Sequence, residues 1–321
     1  MLDVTALGEV LIDFTPQPSD GPYPVLAAHP GGAPCNFLAA LAVRGLRCAI
    51  LGKVGDDSFG RLLRQTLTER GIDTQGLVTD PGVFTTLAFV TLDEHGDRDF
   101  SFARKPGADT CLRFEELPLE TIRNTRVFHF GTLSLTDEPA RTATKQVVAF
   151  AKDCGKTVSF DPNLRRPLWP DLKAAREAML WGLAQGDLVK LSEEEGQFLF
   201  GPEVSPEETA ARLHGDFSVA AVFVTLGPKG CYYSLNGVGG YVDAPPVAKV
   251  VDTTGAGDIF GGTALAQLLK TGKALHELTP GDLQAAAFVA VRAASLSTQT
   301  KGGIQSVPTP EAVAALSINE K

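Results

Sequence analysis

Residues 250–262 have the sequence Val250-Val251-Asp252-Thr253-Thr254-Gly255-Ala256-Gly257-Asp258-Ile259-Phe260-Gly261-Gly262. The pattern predicts the end of a strand at Val250 and Val251, then a helix from about Gly257 to Lys270. Free N–H groups at a helix N-terminus, together with the positive end of the helix dipole, bind anions. Gly255 and Gly257 would let the backbone approach a phosphate closely. The stretch therefore predicts a phosphate site.

Asp258 is the unusual residue of this turn, because a carboxylate in a phosphate-binding loop repels the phosphate unless it has a chemical role. One interpretation is a favourable charge in the first turn of a helix. The other is a base that removes the proton from an attacking hydroxyl. The P-loop pattern G-x-x-x-x-G-K-[ST] is absent. Gly255, Gly257 and Gly261 form a pattern one residue longer than the dinucleotide fingerprint, which disfavours a dinucleotide-dependent oxidoreductase.

Short β-rich runs alternate with helical patterns along the whole chain. The predicted strands are Val4–Ile12, Cys48–Val54, Val127–Phe130, Thr157–Phe160, Asp187–Leu191 and Ala220–Leu226. The other predicted helices are Ala33–Arg44, Ser58–Arg70, Glu138–Lys152 and Asp282–Ser295. Strands separated by helices of about ten to fifteen residues indicate an α/β fold with a mostly parallel, covered sheet.

Two segments break this alternation and have no helix to cover them. Residues 14–30 are rich in proline and glycine, and residues 84–103 follow a strand pattern. The second segment predicts two strands, Thr85–Leu92 and Arg98–Phe102, joined by a turn at Asp93–Asp97. We expect a small β-sheet that acts as a lid or a dimer surface, with two ordinary surface excursions as the alternative.

The composition is that of a soluble globular protein. The 321 residues are 44% hydrophobic, enough for a large core, and we predict one domain over residues 1–321. The net charge is −9 and the basic residues are scattered, which disfavours nucleic acid and anionic membranes as partners. Five widely spaced cysteines, no signal-peptide pattern and no apolar run of about 18 residues predict a cytoplasmic protein.

Two separated motifs make the chain resemble a known family. Residues 252–262 resemble the C-terminal signature of the PfkB, or ribokinase-like, carbohydrate kinases. The N-terminal signature is matched by Gly31-Gly32-Ala33-Pro34-Cys35-Asn36 and by Gly52-Lys53-Val54-Gly55-Asp56-Asp57-Ser58-Phe59-Gly60. The resemblance covers the whole chain. It implies a Rossmann-like sheet with helices on both faces, a small β lid over a sugar, and phosphoryl transfer from ATP.

The resemblance also implies the residues that handle phosphate and sugar. Asp258 would be the catalytic base and Arg165 would clamp the transferring phosphate. The anion hole would consist of the amides of Gly255, Ala256 and Gly257. The residues that would hold the sugar hydroxyls are Asp13, Gly31, Gly32 and Asn36. Arg104 falls where some relatives place a substrate-facing arginine, with a salt bridge at the lid edge as the alternative.

The implied cofactor site contains one departure from the family. Its N-x-x-E motif is here Ser192-Glu193-Glu194-Glu195, with serine in place of asparagine. Glu195 would contact Mg²⁺ through water, and a solvated helix start is the alternative. The residues implied to contact the nucleotide are Lys190, Ser192, Glu195, Thr225, Gly227 and Gly230. Asp252 and Thr254 lie where relatives often bind K⁺, so the implied cofactors are ATP, Mg²⁺ and, as a further candidate, K⁺.

Three segments resemble the fructokinase branch of the family: Gly8–Pro16, Phe128–Leu135 and Phe160–Trp169. They imply D-fructose as the acceptor and fructose 6-phosphate as the product. The nearest alternative is 2-keto-3-deoxygluconate kinase, whose acidic substrate needs an extra cation that Arg104 could supply. A non-catalytic sugar sensor would have no use for Asp258. Relatives commonly dimerise through the lid strands, which implies a homodimer.

Overall fold

The structure is a computed structural model and describes residues 1–92 and 98–318. The predicted turn Asp93–Asp97 lies outside the described residues. The strands are β1 (Leu2–Leu7), β2 (Leu11–Gln17), β3 (Val25–Gly31), β4 (Cys48–Gly55), β5 (Ile72–Asp73), β6 (Leu77–Asp80), β7 (Leu87–Leu92), β8 (Arg98–Ala103), β9 (Thr125–Gly131), β10 (Thr157–Asp161), β11 (Leu188–Ser192), β12 (Ala221–Thr225), β13 (Cys231–Leu235) and β14 (Val238–Val242). The helices are α1 (Ala33–Ala42), α2 (Ser58–Glu69), α3 (Leu119–Arg123), α4 (Ala140–Asp153), α5 (Leu172–Leu183), α6 (Glu193–Phe200), α7 (Pro206–Phe217), α8 (Ala256–Lys270), α9 (Pro280–Ser297) and α10 (Pro310–Ile318).

The main sheet has the strand order β14-β13-β12-β11-β10-β9-β1-β4-β5, and β6 also pairs with β4. The strands from β12 to β5 are parallel to their neighbours, as is β6 to β4. The pairs β12–β13 and β13–β14 at one end of this sheet are antiparallel. The predicted mostly parallel sheet is therefore confirmed. Because the parallel strands point the same way, their carboxyl ends share one edge, which is where such sheets bind ligands.

Each face of the main sheet has its own apolar core. On one face, Val4 and Ile50 belong to the cluster that includes buried residues of α1, α8 and α9. On the other face, Leu7, Leu51 and Phe128 belong to the cluster that includes buried residues of α4, α5 and α7. The predicted helices on both faces are therefore confirmed. Within the described ranges, no helix is long and apolar enough to cross a membrane.

A separate small sheet has the order β3-β2-β7-β8, and it is built mainly from the two segments that lack a covering helix, although β2 begins before them at Leu11. The predicted small sheet is thus confirmed. The single strand predicted over Val4–Ile12 was wrong, because β1 ends at Leu7 and β2 begins at Leu11 in the other sheet. Gly8, Glu9 and Val10 are all buried, so the crossing between the two sheets is not an exposed polar loop of the kind that a sequence pattern reveals.

The predicted strand end at Val250 and Val251 was also wrong. Both residues lie in an irregular segment and are 57% and 41% exposed. The main sheet ends at β14, and the N–H of Val251 instead donates to the carbonyl oxygen of Thr298 at 2.7 Å. The β-branched pair favours a strand by propensity, but tertiary packing decides the conformation here. The helix that follows is as expected and begins at Ala256.

Candidate active site

A cavity of about 620 Å³ opens at the carboxyl edge of the main sheet. Its walls come from the loops after β1, β10 and β11, from the small sheet, and from the start of α8. The predicted site residues that line it are Asp13, Gly32, Asn36, Arg165, Lys190, Ser192, Glu195, Thr225, Thr254, Gly255, Gly257 and Asp258. The fold therefore brings most of the predicted site together in one cavity.

Asp258 lies in the first turn of α8, and only 7% of the residue is exposed. Asn36 donates a hydrogen bond from Nδ2 to Oδ2 of Asp258 at 2.9 Å. Burial, and then the charge of Asp161, raise the pKa of Asp258 to about 6, against the opposing influence of Asn36, Lys190 and Arg165. A carboxylate with a raised pKa that is still ionised at neutral pH is well suited to accept a proton.

The glycines before Asp258 bring the helix start close to other parts of the site. Gly255 has a left-handed conformation with φ of 75° and begins α8 without a side-chain cap. A Cβ at Gly255 would lie 3.0 Å from Nδ2 of Asn36, and one at Gly257 would lie 3.0 Å from Nζ of Lys190. The uncapped helix start thus lies beside a buried ammonium group, and both features favour a phosphate.

Lys190 supplies the positive charge next to this loop. Its Nζ lies 3.0 Å from Oδ2 of Asp161 in a buried ion pair. Burial opposes the charge on Lys190, but the carboxylates of Asp161, Glu195 and Asp258 together raise its pKa above the ordinary value. Lys190 therefore stays protonated at neutral pH, although it is almost completely shielded from solvent.

Asp13 lies on β2, an inner strand of the small sheet, and lines the cavity. Burial raises its pKa to about 7, Arg165 lowers it, and the charges of Asp258 and Asp252 raise it further. Arg165 thus acts electrostatically on both Asp13 and Asp258, which agrees with its position on the cavity wall. A guanidinium there can bind two oxygens at once.

The backbone at Gly31 and Gly32 packs closely against other parts of the site. A Cβ at Gly31 would lie 2.3 Å from Oδ2 of Asp13. At Gly32, where φ is 106°, a Cβ would lie 2.3 Å from the backbone oxygen of Glu9. Glycine is required at Gly32, because the backbone oxygen cannot move aside, whereas a side chain at Gly31 would displace the carboxylate of Asp13.

Arg104 adopts the salt bridge that the sequence left open as the alternative to substrate contact. Its Nη2 lies 2.7 Å from Oδ2 of Asp109, and both side chains are 3% exposed. Nη1 donates to Oγ1 of Thr136 at 2.7 Å, and Nη2 also donates to the carbonyl oxygen of Leu133 at 2.9 Å. Arg104 does not line the cavity that contains Asp258.

Ser192 and Glu195 form a capping box at the start of α6. Oγ of Ser192 accepts the N–H of Glu195 at 3.2 Å, and Oε2 of Glu195 accepts the N–H of Ser192 at 2.8 Å. Serine satisfies this motif as well as asparagine would at a helix start, which explains how the departure is accommodated. Oε1 of Glu195 accepts the N–H of Leu164 at 2.8 Å and so holds the loop that carries Arg165.

A second cavity of about 630 Å³ adjoins the first and shares Thr225, Thr253 and Gly257 with it. Gly227 and Gly230 line it, as do apolar residues that the sequence analysis did not select. Those apolar residues are Ala244, Pro245, Pro246, Val247, Val250, Phe260, Val291 and Ala294. Its apolar wall suits a flat heterocyclic base, whereas the first cavity is lined mainly by charged and polar groups.

Asp252 and Thr254 lie in the turn that leads into α8. Oδ1 of Asp252 accepts the N–H of Thr254 at 2.8 Å, and Oδ2 accepts the N–H of Gly302 at 2.9 Å. These bonds fix the loop before Gly255 in place.

The chain was compared with known protein families and structures. The model of the pfkB family carbohydrate kinases matches residues 1–310. The chain belongs to this family. It is 40% identical over 317 residues to probable fructokinase-4 of Arabidopsis thaliana, covering 98% of this chain and 96% of that protein.

Two solved structures show the same fold as this carbohydrate kinase. A fructokinase from Xylella fastidiosa with bound ATP gives a TM-score of 0.90 at 29% identity, with 100% and 99% of the two chains covered. A double mutant of the fructokinase from Vibrio cholerae O395, with fructose, ADP and a potassium ion, gives a TM-score of 0.88 at 34% identity, with 98% of each chain covered. The predicted family and the ribokinase-like fold are confirmed.

Sequence reasoning missed Glu9 in this kinase, although it lines the cavity and is 4% exposed. Its Oε1 accepts the N–H of Ala33 at 2.8 Å. Burial raises the pKa of Glu9 to about 7, and the bond from Ala33 partly opposes that shift. A glutamate inside the apolar run Gly8–Leu11 was the available signal, since a buried carboxylate usually has a specific partner.

Proposed function

We propose that this kinase transfers the γ-phosphate of ATP to D-fructose and forms fructose 6-phosphate and ADP. The observation that carries the proposal is the position of Asp258, buried at an uncapped, glycine-rich helix start and beside the cation Lys190. A sugar sensor would gain nothing from a carboxylate at a phosphate site. A base for the acceptor hydroxyl gives that carboxylate a role.

ATP would extend across the two adjoining cavities. Its base would lie in the apolar cavity behind Gly227 and Gly230, and its phosphates would reach the start of α8 near Lys190. Glu195 lines the first cavity, which contains Asp258. Carboxylate oxygens are the ligands that Mg²⁺ prefers, and Glu195 would contact the ion through a water molecule. Mg²⁺ would neutralise charge on the phosphate oxygens.

The residues of this chain would carry the remaining steps. Asp258 takes the proton of the primary hydroxyl as the sugar oxygen forms a bond to the γ-phosphorus. The bond from that phosphorus to the bridging oxygen breaks, and the electron pair leaves with ADP. The amides of Gly255, Ala256 and Gly257 and the guanidinium of Arg165 stabilise the charge on the transferring group.

The charges at the acceptor end favour a neutral sugar over a sugar acid. Asp13 and Asp258 line this part of the cavity. Arg104, the cation that a sugar acid would require, is paired with buried Asp109. A substrate carboxylate would therefore face two acidic side chains, and the nearby cation Arg165 already interacts with both of them. The hydroxyls of fructose, in contrast, can donate hydrogen bonds to these carboxylates.

Further parts of the proposal concern assembly and surroundings. The small sheet would close over the sugar and exclude water, and it would also form a homodimer contact, since Tyr23 and Phe84 near it are 80% and 79% exposed. The loop of Asp252 and Thr254 would bind K⁺. Cytoplasmic location is supported by the free thiols of the cysteines among the described residues.

The test is ADP release from MgATP with D-fructose, 2-keto-3-deoxygluconate and D-ribose, each with and without K⁺. Turnover on fructose alone is the expected result. Turnover on the keto acid alone would overturn the choice of sugar and leave the phosphate site intact. No turnover on any of the three, with ATP still raising the melting temperature, would favour the sensor.

A further inference from the structure

We propose that Glu9 is a positioning residue: it caps α1 from the loop after β1 and thereby holds Asn36 against the base Asp258. The inference rests on the proposed role of Asp258 as the base. It assigns a role to a buried carboxylate that the proposed mechanism does not use, and it explains why a glutamate occupies the middle of an apolar run.

The start of α1 lacks a local cap. Its N-cap residue is Gly32, which has no side chain, and the helix begins with Ala33 and Pro34. N-caps are normally Ser, Thr, Asp or Asn, whose oxygen accepts one of the free N–H groups of the first turn. Here that acceptor comes from 24 residues earlier, since Oε1 of Glu9 accepts the N–H of Ala33 at 2.8 Å.

The tight packing of the turn makes an outside cap necessary. Gly32 has φ of 106°, and a Cβ there would lie 2.3 Å from the backbone oxygen of Glu9. A serine or aspartate at this position would therefore clash and be strained. The backbone oxygen of Glu9 thus prevents a side-chain cap at Gly32, and the side chain of Glu9 provides the cap in its place.

The first turn of α1 contains Asn36, whose Nδ2 donates to Oδ2 of Asp258 at 2.9 Å. The backbone N–H of Asn36 donates to the carbonyl oxygen of Gly32 at 3.0 Å, so Asn36 moves with the turn that Glu9 caps. A Cβ at Gly303 would lie 2.2 Å from Oδ1 of Asn36, which leaves the amide little space to compensate. A shift of the helix start would therefore be passed on to Asp258.

The cap does not require a charge on Glu9. Burial raises its pKa to about 7, so both protonation states are present at neutral pH. The carbonyl oxygen of a protonated carboxyl still accepts a hydrogen bond, as does the oxygen of a glutamine side chain. What the cap requires is an acceptor that reaches the N–H of Ala33.

The test uses two reciprocal substitutions, Glu9→Gln and Glu9→Asp, in the full-length kinase. Glutamine keeps the reach and removes the charge, whereas aspartate keeps the charge and is one methylene too short. We expect kcat of E9Q to stay within about threefold of wild type and kcat of E9D to fall on the order of tenfold, because small displacements of reacting groups are costly. The KM for ATP should change less than about twofold in both.

The pH profile and a double-mutant cycle supply readouts that a purely structural role would not move. The hydrogen bond from Asn36 lowers the pKa of Asp258, so its loss in E9D should raise that pKa and shift the acid limb of kcat to higher pH. Asp161, Lys190 and Arg165 would still act on the base in this variant. The double variant E9D/N36A should be no slower than N36A alone, because both changes remove one interaction.

The matched control is Glu208, which accepts the N–H of Ser205 at the start of α7 and lines neither active-site cavity. E208D and E208Q should keep wild-type kcat. Equal losses in E9Q and E9D, or a larger loss in E9Q, would overturn the positioning role, and so would multiplicative losses in E9D/N36A. Each variant's kcat is compared with that of wild type on whichever sugar wild type phosphorylates. An error in the choice of fructose would therefore appear in the wild-type assay and would not affect this comparison.

Discussion

Replacing Asp258 by asparagine should separate activity from stability. The carboxylate is buried, and its pKa is raised from 3.8 to about 6. At pH 7 an ionised buried carboxylate therefore destabilises the folded protein by about 3 kcal/mol, since each pKa unit corresponds to about 1.4 kcal/mol. Asparagine has the same shape, carries no charge, and can still accept the hydrogen bond from Asn36.

The expected result is a fall in kcat of at least ~100-fold, which is the scale of a lost general base. The melting temperature should rise by on the order of 4 °C at pH 7 for a chain of this size. The raised pKa means that wild type loses stability as the pH rises from about 4 through 6, so the gain in Asp258→Asn should shrink towards pH 4. ADP release with saturating substrates and thermal unfolding at several pH values measure both effects.

A matched control is Asp171→Asn, the same substitution at the start of α5. Asp171 is exposed, and its side chain accepts the N–H of Ala174 at 2.7 Å. Asparagine is an equally good N-cap, so neither kcat nor stability should change measurably. The base assignment would be refuted if Asp258→Asn kept kcat within tenfold of wild type. A lower melting temperature would refute the argument from burial.

The same geometry leads to three other predictions. The kcat of wild type should fall about tenfold per pH unit below pH 6, because Asp258 must be ionised to accept a proton; a pH–rate profile with D-fructose measures this. Arg104→Gln leaves buried Asp109 without its cation and should lower the free energy of unfolding by about 3–5 kcal/mol in urea titrations, with the KM for fructose within about twofold of wild type. Gly32→Ala should abolish ADP release, because its Cβ would overlap a backbone oxygen, whereas Gly45→Ala, also left-handed but in open space, should lose only about 1 kcal/mol of stability.

The strands β4 and β9 to β12 of the main sheet could be predicted from the sequence because they are buried on both faces, whereas β5, β6, β13 and β14 were not predicted. Such strands form continuous apolar runs, and the helices between them are long enough to show their own period. The phosphate loop and the start of α8 could also be predicted, because closely spaced glycines before a helix are typical of an anion-binding turn. The crossing at Gly8–Val10 could not, because its residues are as buried as those of the strands on either side.

The apolar cavity next to the phosphate loop escaped prediction for a different reason. Its lining comes from the irregular segment around Pro245 and Val250 and from the far end of α9 at Val291 and Ala294. Nothing in the local pattern of either segment distinguishes a residue that lines a cavity from one that fills a core. Arg104 posed a similar problem, because its partners Asp109 and Thr136 are known only once the chain is folded.

The small residues after Asp258 explain how the two ends of the chain form one site. A Cβ at Gly262 would lie 2.3 Å from the carbonyl oxygen of Phe37, so glycine in α8 allows α1 to pack against its backbone. This close approach brings Asn36 within 2.9 Å of Asp258, although 222 residues separate them. The first turn of α1 therefore cannot shift without moving Asn36, which contacts the base Asp258. We infer that the glycines of α8 serve the geometry of the base as much as the binding of phosphate.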